Sequence, residues 1–118
     1  MMTARINYNG KTFRGRTNSA NGEVGAATQF EYHQTGQLLT GTYRGGSVRA
    51  GQLLGVVHDD DTLTFQYHHL NESGELMAGR CESTPVILDG RLVMRERWQW
   101  LTGDRSAGTS EVEEVTSK

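Results

Sequence analysis

The residues able to do chemistry cluster around one short segment. In Met94-Arg95-Glu96-Arg97-Trp98-Gln99-Trp100 side chains alternate between the faces of an extended strand, so Glu96 shares a face with Met94, Trp98 and Trp100. The arginines and Gln99 share the other face and belong in water, which turns Glu96 and the two tryptophans inward. A buried carboxylate must be paired, hydrogen-bonded or protonated. Three uses are open to Glu96: an internal pair with an arginine or with His69, an anchor for a ligand's amine or hydroxyl, or a general acid or base working with His69. His68 and His69 are adjacent on a strand, so their rings point to opposite faces and cannot chelate one metal together. His58 stands beside Asp59, Asp60 and Asp61, but without fixed ligand spacing this reads as a solvated turn, and no metal site is expected. The single cysteine, Cys81, has no cation on its face to lower its pKa and reads as a buried, inert thiol.

Other chemistry lacks its signature. There is no G-x-S-x-G elbow, no phosphate-binding loop and no G-x-G-x-x-G after a strand, and no cofactor is expected. With 12 basic and 14 acidic residues among 118, the net charge is −2, which removes the positive footprint that nucleic acid binding needs. No apolar run approaches the roughly 18 residues of a membrane helix, and no apolar segment follows the N-terminal residues. One cysteine cannot form an internal disulfide, so a reducing, cytoplasmic setting is expected.

The elements that must position Glu96 and its neighbours are strands. Hydrophobic residues make up 35% of the chain, and 15 glycines accompany a single proline, with a mean hydropathy of −0.60. Such a chain folds around a thin core with many turns. Turn signals recur at Asn9-Gly10, Asn21-Gly22, Thr35-Gly36, Gly45-Gly46, Asp59 to Asp61, Asn71 to Gly74, Asp89-Gly90 and Gly103-Asp104. They delimit strands at about residues 4–8, 11–17, 27–34, 37–44, 47–57, 62–70, 75–84, 91–102 and 109–115. No window shows helical periodicity. A sequential meander leaves exposed edges unless it closes, so the expected fold is an all-β, antiparallel, up-and-down barrel of eight to nine strands. Residues 1–118 form one domain, with 114–118 a fraying tail.

Alternation sorts the faces. Phe30 and Tyr32, then Leu39, Gly41 and Tyr43, then Leu63, Phe65, Tyr67 and His69 point inward, as do Met77, Gly79, Cys81 and Ser83. Val93 falls on the outer row with Arg95 and Arg97, and Gly51 interrupts its strand as a bulge or corner. Arginines 14, 16, 44, 49, 80, 95 and 97, interleaved with Glu23, Glu31, Glu75 and Glu82, form the outer surface. The inward set mixes apolar bulk with Tyr32, Tyr43, Tyr67, His69, Ser83, Glu96, Trp98 and Trp100. That set is either the lining of a ligand pocket or a filled core whose polar tips reach solvent at a barrel mouth.

The same segments carry two resemblances. Residues 7–13 (NYNGKTF), 37–43 (QLLTGTY) and 99–109 (QWLTGDRSAGT) resemble strands of the streptavidin-like barrels of the calycin group. The resemblance places Tyr43 and Trp100 where that family has biotin-contacting side chains. Position 45 is Gly where the family has Ser, and the family's late Trp and C-terminal Asp have no counterpart between Glu111 and Lys118. What the resemblance implies is therefore architecture. The chain is also similar to small bacterial proteins often labelled N-acetylglutamate synthase, through Tyr67-His68, Gly74-Glu75-Leu76-Met77, Cys81-Glu82-Ser83-Thr84-Pro85 and residues 96–100. That label implies an acyltransferase, whose Q/R-x-x-G-x-G/A loop should open a helix. Gln52 to Val57 comes nearest, with Val57 in place of the small residue and three aspartates following where pyrophosphate would need positive potential.

The sequence thus points to a barrel binding a small, partly polar molecule through Tyr43, Tyr67, His69, Ser83, Glu96, Trp98 and Trp100. Two other functions stay open: a small enzyme using Glu96 and His69 as an acid–base pair, and a filled barrel that assembles with other copies through its outer face.

Overall fold

A computed structural model describes residues 6–116, which build eight strands: β1 (Thr12–Asn18), β2 (Gln29–Thr35), β3 (Leu38–Gly45), β4 (Val48–Val57), β5 (Leu63–Asn71), β6 (Leu76–Leu88), β7 (Arg91–Trp100) and β8 (Ala107–Glu114). Each pairs antiparallel with the next, and β8 returns to β1, closing the sheet in the order β1-β2-β3-β4-β5-β6-β7-β8. Closure pairs the first and last strands of the meander, which would otherwise be its edges. No described residue is helical.

Local chemistry explains the strand limits. Asp89 and Gly90 both take positive φ, 52° and 77°, the two-residue hairpin turn that Asp-Gly favours because its twist matches the flanking strands. β6 runs past the expected limit at residue 84, through Pro85, to Leu88. Its pairing to β5 stops at Ser83 while pairing to β7 continues, so the proline sits where β6 has a free side and no ladder donor is lost. β8 ends at Glu114, and the Val115 N–H still donates to the Thr12 carbonyl at 2.8 Å.

Three expectations are corrected. Residues 6–8 form no strand; residues 4–5 of that expected strand lie outside the described residues. Gly51 is in register with both Tyr43 and His69, and the irregularities fall instead between Tyr43 and Gly45 and between Val48 and Ala50. Val93 stands on the outer row yet is only 1% exposed, because the long side chains of Arg16, Arg91 and Glu113 border the same outer depression.

The two ends of the barrel differ. At one end residues 6–8 act as a plug: Tyr8 is fully buried, its hydroxyl donates to the Asp61 carbonyl at 2.6 Å, and its N–H donates to Gln34 Oε1. Phe13, Tyr32, Leu39, Leu63, Met94 and Val112 fill that half with none or almost none of their surface exposed, and the Phe13 and Tyr32 rings pack 4.8 Å apart. At the other end the connection formed by residues 19–28 folds across the mouth.

Outside, the seam where the barrel closes is laced with ion pairs. Lys11 meets Glu114 at 2.9 Å, Arg14 meets Glu113 at 2.8 Å, and Arg95 and Arg16 meet Glu111 at 3.3 and 3.4 Å. Arg97 pairs with Glu82 at 2.6 Å on the adjoining strands. The outer basic surface is as expected, but its principal acidic partners are Glu111, Glu113 and Glu114 of β8, whereas Glu23 lies half-buried at the barrel mouth.

Candidate functional site

The upper half of the barrel, beneath residues 19–28, encloses a cavity. Its walls include Phe30, Tyr43, Leu53, Phe65, Tyr67, Trp98 and Trp100, with Asn18, Glu23, His69, Glu96 and Ser110 as polar groups. The rings form a continuous chain: Phe30 stacks on Tyr43 at 5.0 Å, Tyr67 meets Trp100 edge-on at 5.8 Å, and Trp98 lies 5.6 Å from Trp100. Only about 40 Å³ is open, room for about one or two waters. Pocket and filled core therefore meet in one structure, with side chains occupying most of the interior and leaving a narrow space at the mouth.

Glycines let the rings lie against the wall. A Cβ on Gly51 would stand 2.5 Å from Tyr43 Cζ, on Gly79 2.3 Å from the Tyr67 oxygen, and on Gly108 2.5 Å from Trp98 Cζ2. Each of these rings covers a residue whose missing side chain is its seat. What looked like an interruption of β4 at Gly51 is the floor beneath Tyr43.

Glu96, on β7, is buried, and its partners are two serines: Ser110 Oγ on β8 donates to Oε1 at 3.0 Å and Ser83 Oγ on β6 to Oε2 at 3.5 Å. Neither an arginine nor His69 pairs with it, so the internal pair, one of the three uses open to Glu96, is not made; Arg95 and Arg97 are engaged outside the barrel. Burial raises its carboxyl from 4.5 to about 7, with the two serine hydroxyls pulling the other way. Ser83 is absent from the cavity wall and serves Glu96 from behind.

His69 is held in a separate chain of hydrogen bonds. Its Nε2 lies 2.8 Å from Glu23 Oε1 and its Nδ1 2.8 Å from the Tyr43 oxygen. An ionised carboxylate can only accept, so Nε2 carries the hydrogen, and in the neutral ring Nδ1 accepts from the Tyr43 hydroxyl. Burial pushes Tyr43 well above the usual phenol range, which keeps that hydroxyl protonated. Asn71 Nδ2 adds donors to both Glu23 oxygens at 3.3 Å. No direct hydrogen bond joins Glu96 to His69, although both line the same cavity.

Residues 19–28 are tied down along their length. Asn18 Nδ2 donates to the Val24 carbonyl at 2.9 Å, the Trp100 indole N–H to the Asn21 carbonyl at 3.1 Å, and Asn21 Nδ2 to Ser106 Oγ at 2.9 Å. Sequence reasoning missed Glu23, Asn18 and Ser110. Glu23 follows the Asn21-Gly22 turn and lies on no strand, so parity could not aim it. Ser110, by contrast, shares parity with Gly108 and Val112 and was recoverable.

The remaining candidates are structural. Cys81 is buried and its thiol is pushed well above the ordinary range by desolvation. His58 Nε2 lies 2.9 Å from Thr64 Oγ1, and Asp60 accepts from Thr62. Gln52 to Val57, the nearest match to an acetyltransferase phosphate loop, lies inside β4 with no helix following it, so the acyltransferase reading has no loop to stand on.

Three buried polar atoms are left over: Asn18 Oδ1, Trp98 Nε1 and the Tyr32 hydroxyl oxygen make no hydrogen bond to any described residue. Asn18 and Trp98 both belong to the cavity wall. Neither the curated proteins nor the solved structures contain a match to this chain. A family model described as avidin-like protein matches residues 6–115. The match spans all eight strands and both halves of the interior, and the chain belongs to the avidin-like family.

Proposed function

We propose that the protein binds a small molecule in the upper half of its barrel, with Tyr43, Tyr67, Trp98 and Trp100 supplying the walls and residues 19–28 the cover. One observation carries this reading: an open space in the upper barrel is walled by Phe30, Tyr43, Tyr67, Trp98 and Trp100, and two residues of that wall, Asn18 and Trp98, each keep a buried polar atom without a partner. A buried polar group without a partner costs about 1–3 kcal/mol, and a ligand presenting a donor and an acceptor would recover that loss. The open space takes only the first few atoms of such a ligand, so the rest would extend out through the mouth. Membership of the avidin-like family supports a small-molecule ligand inside the barrel.

Thermal-shift screening against metabolites tests the reading. A ligand at a hundred times its Kd adds about 2.7 kcal/mol of stability, and Trp100→Ala should abolish the gain. Stabilisation that survives Trp100→Ala, with the indole N–H resonances unmoved, overturns it.

A second observation favours self-association as well. Leu38, Leu54 and Val56 are 50%, 60% and 43% exposed and adjoin one another on the outer face of β3 and β4, with Leu38 opposite Val56. An uncharged patch can face its own copy across a two-fold axis without opposing like charges. Sedimentation velocity should show a dimer that Leu54→Lys dissociates; a monomer at all concentrations removes this reading.

A further inference from the structure

The cavity has a charge character that narrows its ligand. Its wall holds two carboxyl groups, Glu96 and Glu23, the unmatched carbonyl of Asn18, and six aromatic rings from Phe30, Tyr43, Phe65, Tyr67, Trp98 and Trp100. No lysine or arginine is among the lining residues. Every arginine ion pair described above lies on the outside of the sheet. An anion entering this space would meet carboxylates and the negative faces of the rings with no cation to receive it. A cation would meet ring faces, carboxylates and a free acceptor, the arrangement by which aromatic cages hold ammonium groups.

We propose that the ligand is a small organic cation whose ammonium head lies among these rings, with Glu96 below it and Glu23 at the mouth. This rests on the small-molecule reading and specifies its chemistry. The space already open, about 40 Å³, takes the ammonium head, while the rest of the molecule would extend through the mouth beside Glu23. Trp98 Nε1 is left to donate to an oxygen elsewhere on the ligand. An ammonium also answers the burial of Glu96: two serine hydroxyls only partly offset its desolvation, and a cation would let the carboxyl ionise where it stands.

The groups facing Glu96 and the cavity are Tyr32 on β2, Tyr43 on β3, Tyr67 and His69 on β5, Cys81 on β6 and Glu23 on residues 19–28. Burial holds the three tyrosines and the thiol in their neutral forms. Glu96 changes charge near pH 7, so cation binding should weaken as the pH falls through that value.

The test uses three probes that share one ring: benzylammonium, benzyl alcohol and benzoate, titrated at pH 8 against the indole N–H resonances of Trp98 and Trp100. Benzylammonium should bind at least about tenfold more tightly than benzyl alcohol, and benzoate should leave the resonances in place. Glu96→Gln should reduce the preference to about twofold or less. Glu23→Gln, on the cover and away from the core, should reduce it too, and keeps the test independent of how well the first variant folds. Benzyl alcohol or benzoate binding as tightly as the ammonium overturns the cationic assignment while leaving the small-molecule reading intact. If none of the three moves the indole resonances the assignment also falls, and the metabolite screen then decides separately whether the cavity binds anything.

Discussion

Glu96→Gln is the perturbation whose effect on stability can be worked through from the structure. The glutamine amide matches the protonated carboxyl in shape and can still accept from one serine and donate to the other, at the positions now 3.0 and 3.5 Å away. What it removes is the charge. In the folded protein the carboxyl titrates at about 7, against an ordinary 4.5. Below pH 4.5 it is protonated in both folded and unfolded chains and contributes no pH dependence. Between these values the unfolded chain releases the proton while the folded one keeps it, so stability falls by about 1.4 kcal/mol per pH unit. Above pH 7 the loss is complete, on the order of 3 kcal/mol. For a domain of this size that corresponds to about 10 °C in Tm. Thermal denaturation of both proteins at pH 5 and pH 8 therefore gives a difference of differences, in which the surface histidines cancel. The wild type should lose stability between the two pH values by about that much more than Glu96→Gln, with the variant the more stable at pH 8. Parallel pH dependence in the two proteins would refute the burial argument.

Three further outcomes follow from the packing. Gly79→Ala forces a methyl to within 2.3 Å of the Tyr67 oxygen and 2.8 Å of the Gln99 carbonyl, and should cost about 1–3 kcal/mol in urea unfolding; an unchanged midpoint would mean that the ring does not rest on that glycine. Tyr8→Phe removes the 2.6 Å hydrogen bond to the Asp61 carbonyl and should cost about 1 kcal/mol, together with faster amide exchange at Ile6 and Tyr8; exchange rates equal to wild type would count against the plug. Cys81 should resist a thiol reagent until the protein is unfolded, and rapid labelling of the native protein would show that the interior opens more freely than its packing implies.

Strand parity carried most of this architecture. The inward assignment of Phe30, Tyr32, Tyr43, Phe65, His69, Cys81, Glu96, Trp98 and Trp100 agrees with their burial, because a period of two leaves no freedom once one charged row is placed in water. Tyr67 follows the same row but keeps more exposure near the mouth. Parity fails where there is no strand. Residues 19–28 have no repeat to read, so the sequence groups Glu23 with the outer charges, whereas the side chain crosses the mouth to His69 and Asn71. Alternation also places a residue on a row without saying what lies over it, which is why Val93 looked exposed. The Asn9-Gly10 signal marks the end of an expected strand at Tyr8, but the turn bends residues 6–8 across the barrel end, where the Gly10 N–H meets the Tyr32 carbonyl.

The pairing of β8 with β1 sets the order in which this chain can mature. A ribosome delivers about 5–20 residues per second, so several seconds separate the appearance of Thr12 from that of Glu114. During that interval the hairpins from β2 to β7 can zip locally, but β1 has only β2 for company and Phe13 and Tyr32 lack the ceiling that Val112 provides. The last strand supplies Ser110 to Glu96 and the acidic partners for Lys11, Arg14 and Arg16. Until it arrives the nascent protein is an open ribbon with two unsatisfied borders, the stage at which encounter with a neighbouring chain is most hazardous.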